Sequence, residues 1–558
     1  MKKGDIMSAI PEKMLAWPLF GTGFEAFGKD DKPCVVDVPE IKDDELLVRI
    51  DAIGLCFSDV KLIRAGESHP RVISEDLSKD PVIPGHEAVM SVVKVGAKLA
   101  KQYEVGQRFI IQADIYVNGK GFAYGYAIDG GMAQYSVLDQ RVLNGDEGCY
   151  LLPVAEHMPS AVAALLEPWT CVQAAYMIEN RTAPKANGKL LVVGKAGNVY
   201  TAGALFAANK PASVTAVGLD DAAVKALEAE LGVKVTAIDA LPEDEKFDDI
   251  FIADRCAETT AKAAKMGAFG ACVSFGGELP AEKLSFDVGS IHYQGWFYQG
   301  TASRDISSAY GRNVRSTLKA GGTCWLPGGA GAMGQMHTQM AVENPNGPKR
   351  IIISDMDQTR IDNVKRLLAD KIAERGIEFV AVNPTTMTPE EFEKVLSDFA
   401  PEGFDDIVML VPVVPVLMQS AKHLGKDGLM NIFAGIPAGK EGELDLAAIA
   451  HNGGRYIGSS GSKTAHLRHT LELATTGKLQ PVTALAAVGG MQDLKKGLDA
   501  VANAKFPGKT VIFPNCEDMP LTPVSQLGDI LDNVSATLDE QGFYTTATEK
   551  ALLDKFEK

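Results

Sequence analysis

The tetrapeptide Phe247-Asp248-Asp249-Ile250 returns 157 positions later as Phe404-Asp405-Asp406-Ile407. A second series repeats at almost the same distance: Asp287, Ile291, Gly295, Tyr298 and Gly300 correspond to Asp445, Ile449, Gly453, Tyr456 and Gly458. A third match, Gly194-x-x-Gly197 with Gly328-x-x-Gly331, falls at the smaller distance of 134. The second copy therefore carries extra residues in its first half. Three matches in one order point to a duplicated unit of about 150 residues. The first copy reads as strand Leu190–Gly194, helix Thr201–Ala208 and strand Ser213–Val217. That β-α-β texture starts a doubly wound sheet. It restarts at Thr323-Cys324-Trp325-Leu326 and runs to about residue 460.

The second copy holds a dinucleotide-binding pattern. Gly329, Gly331 and Gly334 satisfy G-x-G-x-x-G between a strand and a helix, with Ala332 and Met333 in the same turn. Such glycines serve a tight turn, close approach of pyrophosphate and helix–strand packing, and the helix N-terminus offers free N–H groups to the phosphates. The next strand, Arg350–Ser354, ends in Asp355. A carboxylate there accepts hydrogen bonds from ribose and repels a 2′-phosphate, so NAD(H) is expected over NADP(H). In the first copy Lys195 and Tyr200 occupy the first and third glycine places, and Gly218 stands near the position of Asp355. That copy is either a second nucleotide site or a structural one, and the substitutions favour the structural reading.

Before these copies, residues up to about 150 read as short strands punctuated by Gly and Pro, including Leu46–Ile50, Ser91–Val95 and Arg108–Ile111. A small β-barrel-like domain follows from that texture. A helix is predicted over Ala161–Ile178. Within the early region, Cys56 in Gly54-Leu55-Cys56-Phe57-Ser58-Asp59 precedes Gly85-His86-Glu87 and, later, Leu166-Glu167-Pro168. Cys sulfur, His nitrogen and carboxylate oxygen are the donors zinc prefers, four-coordinate with one place open for catalysis. Cys56, His86 and one or both of Glu87 and Glu167 could supply that set.

These motifs resemble the zinc-containing medium-chain dehydrogenase/reductase superfamily, in its polyol and sugar-phosphate branch, which includes sorbose-1-phosphate-reductase-like proteins. Gly130-Gly131-Met132-Ala133-Gln134-Tyr135, Gly477–Pro481 and Gly508–Val511 extend the likeness toward the C-terminus. The resemblance implies a GroES-like barrel built from the N-terminal part plus residues near 478–514. It also implies one catalytic zinc, held by Cys56, His86, Glu87 and Glu167, and further site roles for Ser58, Asp59 and Lys61. Ser58 is the expected proton carrier. Lys61 stands where the family often has a relay histidine; it relays protons, binds a substrate phosphate or is merely solvated. No cysteine lies between Cys56 and Cys149, so the family's four-cysteine structural zinc is absent.

The expected architecture is α/β: a GroES-like β-barrel catalytic domain plus two tandem Rossmann-like doubly wound units. The expected boundaries are 1–185 (catalytic, N-terminal part), 186–311 (degenerate Rossmann-like unit), 312–477 (NAD-binding unit), 478–514 (catalytic, C-terminal part) and 515–558 (extension). The expected activity is hydride transfer between NAD(H) and a secondary alcohol or ketone, with zinc as Lewis acid. The rival expectations are a zinc-free reductase of the same superfamily and a non-enzymatic nucleotide sensor. The two copies are expected either to meet edge to edge as an internal pseudo-dimer within a monomer, or to serve a homo-oligomer.

The net charge of −17 comes without any basic block, which argues against a nucleic-acid surface. The longest apolar run, Ile407–Met418, holds Pro412 and Pro415 and is too short to span a bilayer. Eight scattered cysteines and an N-terminus without an apolar stretch fit a reduced, cytoplasmic protein. His466 and His469 share a predicted helix without a third ligand nearby.

Overall fold

The computed structural model describes residues 10–311 and 314–557; the sequence reading of the first seven residues lies outside them. The chain divides into two compact units. One runs to Gln173 and resumes at Gly461; the other is Ala174–Ser460.

The first unit is organised by an eight-stranded sheet. Its long strand Leu46–Leu55 is buried along almost its whole length and pairs antiparallel with Glu87–Val95 and with Tyr135–Leu138. The strand Lys509–Phe513, far away in sequence, lies beside it and sets Thr510 opposite Leu55. The core combines residues of both segments, including Trp17, Leu46, Ile50, Ile63, Met90, Met491, Leu498 and Ile512. The C-terminal extension belongs to this unit. Its helix Thr546–Phe556 presents Glu549, whose carboxylate accepts the backbone N–H groups of Ser160 and Ala161 at 2.6 and 2.9 Å. Those are orphan donors of a helix start, so the extension closes a helix end.

The single helix predicted over Ala161–Ile178 is in fact two, Ser160–Ala164 and Leu166–Ala175. Pro168 cannot donate a backbone bond, so the first helix stops and a second starts, with Pro168 in the first turn where no donor is needed. Glu167 thereby stands at the start of a helix.

The second unit is built on one twelve-stranded sheet. Its first half runs, from the outer edge inward, Val235–Ile238, Ser213–Val217, Lys189–Val193, Phe247–Ile252, Gly267–Phe275 and Phe297–Gly300, all parallel. Its second half runs Glu378–Val382, Arg350–Ser354, Thr323–Pro327, Phe404–Met409, Leu424–Ile432 and Arg455–Ile457, again all parallel. In chain order both read 3-2-1-4-5-6, the order of a dinucleotide-binding sheet. The halves meet where Phe297–Gly300 pairs antiparallel with Arg455–Ile457, Tyr298 opposite Tyr456. Leu284–Asp287 and Glu441–Leu444 form a second antiparallel pair between the halves, with Leu284 opposite Leu444 and Asp287 opposite Glu441.

Each half carries its own copy of one ion-pair arrangement. Arg181 donates to Asp249 Oδ2 and to the Asp248 carbonyl, and Lys185 Nζ donates to Asp248 Oδ1. Arg315 bonds Asp406 and the Asp405 carbonyl in the same way, and Lys319 Nζ donates to Asp405 Oδ1. The repeated Phe-Asp-Asp-Ile thus marks where each strand is tied to the segment leading into its half. The helix predicted from Thr201 begins at Gly203 instead, because Thr201 bridges to Asp305 and exchanges backbone bonds with Arg304 and Ile306. No helix among the described residues is long and apolar enough to cross a membrane.

Two glycines set the closeness of the join. A Cβ on Gly300 would lie 2.8 Å from Ala450 Cα, and one on Gly458 would lie 3.0 Å from His292 Cα. Each accepts a helix of the opposite half, and backbone cannot move aside as a flexible side chain can. Gly300→Ala and Gly458→Ala are each expected to cost about 1–3 kcal/mol by overpacking. Thermal unfolding checks this: both variants should melt below wild type, and unchanged melting for both would show that the join is looser than described.

Candidate active site and metal centre

Strand Leu46–Leu55 ends one residue before Cys56, which caps helix Phe57–Ala65. Asp59, in the first turn, reaches back and accepts the Cys56 backbone N–H through Oδ2 at 3.0 Å. Its other oxygen, Oδ1, lies 2.9 Å from His86 Nδ1. Asp59 is completely buried. One carboxylate therefore fixes both Cys56 and His86, and leaves His86 Nε2 available to a metal, the usual carboxylate–histidine arrangement behind metal ligands. Burial works against charge on His86, but Asp59, together with Tyr126 and Cys56, outweighs it and raises the imidazole well above its ordinary range.

His86 is aimed by the turn before it. Gly85 has φ of +101°, and a Cβ there would meet Met132 N at 2.9 Å. Glu87 opens the next strand, in register with Gly54. A Cβ on Gly54 would lie 2.1 Å from Glu87 Oε2, so glycine leaves room for that carboxylate. Lys509 Nζ donates to Glu87 Oε1 at 2.5 Å, both side chains being buried. Burial opposes the Lys509 charge, and Glu87 more than restores it, raising its pKa. Glu87 Oε2 is buried and has no hydrogen-bond partner among the described residues. The ligand atoms of Cys56, His86 and Glu87 all lie within 4.8 Å of one another.

That set fits zinc: a thiol, an imidazole and a carboxylate with an orphaned oxygen, backed by Asp59 and Lys509. Glu167 stands beside this cluster rather than within it. Its Oε1 lies 3.6 Å from Cys171 Sγ, one helical turn on. Desolvation pushes the Glu167 carboxyl up to about 7, with His86 lowering and Glu87 raising it. Ser58 is half-buried and Lys61 exposed, its ammonium 5.8 Å from the Phe57 ring centroid. His466 has its Nδ1 turned to the Lys463 backbone N–H at 3.2 Å, in a capping role.

In the second unit the glycine turn has the expected shape. A Cβ on Gly334 would collide with Gly328 O at 2.0 Å, while one on Gly331 would meet only Gly328 O, at 3.5 Å. The third glycine is thus for packing, and the second leaves open space. Helix Ala332–Glu343 starts directly after it. Asp355 Oδ1 accepts the Asp357 N–H at 3.1 Å. The corresponding turn in the first half is altered around its second glycine, although a Cβ on Gly197 would itself meet nothing within 4 Å. Tyr200 is buried, a Cβ on Gly194 would strike its ring at 2.6 Å, and Gly197 N–H is taken by Asp220 Oδ2 at 2.7 Å.

Sequence reading gave no role to Lys509, Arg71, Asp114 or Tyr126. A lysine opening a wholly buried strand was the signal for Lys509. The others lie in loops without a periodic pattern.

Residues 42–144 match the family model described as the alcohol dehydrogenase GroES-like domain, so the first unit carries that domain. The resemblance to polyol-phosphate dehydrogenases extends along the chain. It is 24% identical to mannitol-1-phosphate 5-dehydrogenase of Aliivibrio fischeri, over 95% of this chain and 96% of that one. It is 20% identical to L-sorbose 1-phosphate reductase of Klebsiella pneumoniae, over 91% of each. Among solved structures, 2R,3R-butanediol dehydrogenase of Bacillus subtilis shares the fold, with a TM-score of 0.52, 14% identity and coverage of 90% of this chain and all of that one.

Asp59→Asn is expected to weaken zinc binding about ten- to a hundredfold, because it disturbs the group that orients His86. Cys56→Ser should remove the metal altogether. Competition of each purified variant against a chromophoric chelator reads both effects, and wild-type affinity in Asp59→Asn would break the assigned link.

Proposed function

We propose that this chain is a zinc-dependent oxidoreductase that moves a hydride between NAD(H) and a secondary alcohol or ketone of a polyol or sugar phosphate. The observation that carries it is the Cys56–His86–Glu87 cluster, held by Asp59 and Lys509, in a chain that also presents the open Gly331 turn. The named activities of the Aliivibrio and Klebsiella relatives support the substrate class.

Zinc at this cluster would supply Lewis acidity to the oxygen of the alcohol or ketone. NAD(H), bound by Gly329, Gly331, Ala332, Met333, Gly334 and Asp355, would accept or give the hydride. The protein's own part is position and protons. Asp59 keeps Cys56 and His86 in place. Lys509 holds Glu87 by one oxygen and leaves the other for the metal. Ser58, half-buried and two residues from Cys56, carries the alcohol's proton outward. Glu167, close enough for His86 and Glu87 to shift its pKa, completes the ligand set or faces the substrate. The chain contains no four-cysteine cluster for a structural zinc. All eight cysteines are free thiols, which fits a reducing, cytoplasmic setting.

We infer further that the two halves of the large sheet are copies of one Rossmann-like unit, with only the second holding cofactor. The domain reading places a degenerate unit over 186–311 and an NAD-binding unit over 312–477; the compact unit that holds both copies ends at Ser460. The first copy would then occupy the sheet edge of the second, which otherwise exposes unpaired N–H and C=O groups.

The test is zinc content by elemental analysis together with NADH absorbance against polyols and polyol phosphates. Turnover by a chain free of zinc would leave the zinc-free reductase; zinc and cofactor binding without turnover would leave the sensor. Wild type is expected to prefer NAD(H) in kcat/KM, and Asp355→Ser to narrow the gap, since a charge clash of several kcal/mol is removed. A wild-type preference for NADP(H) would sink the Asp355 assignment. Calorimetry is expected to count one NADH per chain, and two equivalent sites would contradict a first copy without cofactor.

A further inference from the structure

A second set of donors gathers beside the metal cluster around the buried ring of Tyr126. The His86 ring centroid lies 5.8 Å from it, and the His69 ring stacks on it at 5.1 Å and 30°. The guanidinium carbon of Arg71 lies 5.5 Å from the same centroid. Arg71 Nη1 donates to Asp114 Oδ1 at 2.7 Å, the arginine side chain being 41% exposed and the aspartate 14%. No hydrogen bond among the described residues engages Arg71 Nε or Nη2.

Asp114 is itself pinned. Its backbone N–H donates to Gln112 Oε1, and Gln112 Nε2 donates to Ser462 Oγ at 2.8 Å. A Cβ on Gly461 would fall 2.3 Å from Asp114 Oδ2, so glycine makes room for the carboxylate. Asp114 therefore orients the guanidinium through one nitrogen and leaves the rest of its fork open. The Arg71 backbone N–H donates to His69 Nδ1 at 3.3 Å, which places the His69 proton on Nε2, a donor. Burial, together with the charges of Arg71 and Lys61, pushes His69 down to about 4.

An arginine stacked on a ring, fixed by a carboxylate and half open to solvent is suited to bidentate recognition of phosphate. Reach agrees. The Arg71 guanidinium and the His86 ring lie no more than about 11 Å apart, since each is within 6 Å of the Tyr126 centroid. An extended chain advances roughly 1.2 Å per bond. A phosphate four or five carbons from the reacting carbon thus spans most of that gap, and its oxygens and the guanidinium cover the remainder.

We propose that Arg71, oriented by Asp114 against Tyr126 and flanked by His69, binds the terminal phosphate of a phosphorylated polyol or ketose whose reacting carbon lies at the Cys56–His86 cluster. This rests on the oxidoreductase reading of the same site. It makes Arg71 the residue that separates phosphorylated from plain polyols.

The experiment uses the full zinc-loaded chain, first with inorganic phosphate in calorimetry, then with a matched pair, a hexitol phosphate and the same hexitol without phosphate. Arg71→Gln, verified to keep wild-type zinc content and melting temperature, is expected to weaken inorganic phosphate binding about tenfold or more. It should lower the ratio of kcat/KM for the phosphorylated over the plain hexitol by a similar factor, chiefly through KM, and Arg71→Lys should recover part of it. An unchanged ratio, with both substrates losing equally, would show a structural role and overturn the proposal, as would wild-type phosphate affinity in Arg71→Gln. If wild type turns over neither hexitol yet binds phosphate through Arg71, the oxidoreductase reading fails while the anion site stands.

Discussion

The Asp59 carboxylate is completely buried and spends one oxygen on the Cys56 N–H and the other on His86 Nδ1. A charge removed from water is costly unless it is paired and hydrogen-bonded, and these two contacts offset that cost. They also bring Cys56, at a helix start, and His86, just before a strand, 30 positions apart, into one donor cluster. The third side of the cluster depends on it as well. Glu87 follows His86 directly, and its carboxylate is fixed by Lys509 from a strand near the other end of the chain. The interruption of the first unit by residues 174–460 is therefore bridged at the site itself.

The second unit obeys a different constraint. A parallel sheet built from six strands ends in an edge whose backbone groups need partners. Here Phe297–Gly300 of one half meets Arg455–Ile457 of the other, and Leu284–Asp287 meets Glu441–Leu444. Both contacts are antiparallel and pair residues that the internal repeat makes equivalent or nearly so, which is how a two-fold relation looks within one chain. Gly300 and Gly458 let a helix of the opposite half approach each edge. On the reading proposed above, the loss of the phosphate glycines from the first half costs the chain nothing, because that half serves to pair an edge.

Much of this was legible in the sequence for physical reasons that can be named. Ser213–Val217 was readable as a strand because a short apolar run between polar and glycine-rich segments has few other ways to bury itself. Cys56, His86 and one or both of Glu87 and Glu167 were readable as candidate donors because their chemistry is restricted, and the fold brings the ligand atoms of Cys56, His86 and Glu87 within 4.8 Å of one another. What stayed hidden depends on contacts distant in sequence. Asp59 was named as a site residue, but its grip on both Cys56 and His86 follows only from the fold. Glu167 was indistinguishable from Glu87 as a ligand until Pro168 was seen to restart the helix and set it beside the cluster. The helix start at Gly203 was missed because Thr201 answers to Arg304 and Ile306, about a hundred residues away. Arg71 and Asp114 sit in loops, where a sequence carries no period to read.

The central claim is that one zinc sits on a mixed sulfur, nitrogen and oxygen site formed by Cys56, His86 and carboxylate. X-ray absorption at the zinc edge of the purified, zinc-loaded chain tests it most directly. The account predicts one sulfur at about 2.3 Å, with the remaining ligands nitrogen or oxygen at about 2.0–2.2 Å. Two or more sulfurs around the metal, or a chain that retains no zinc, would contradict it.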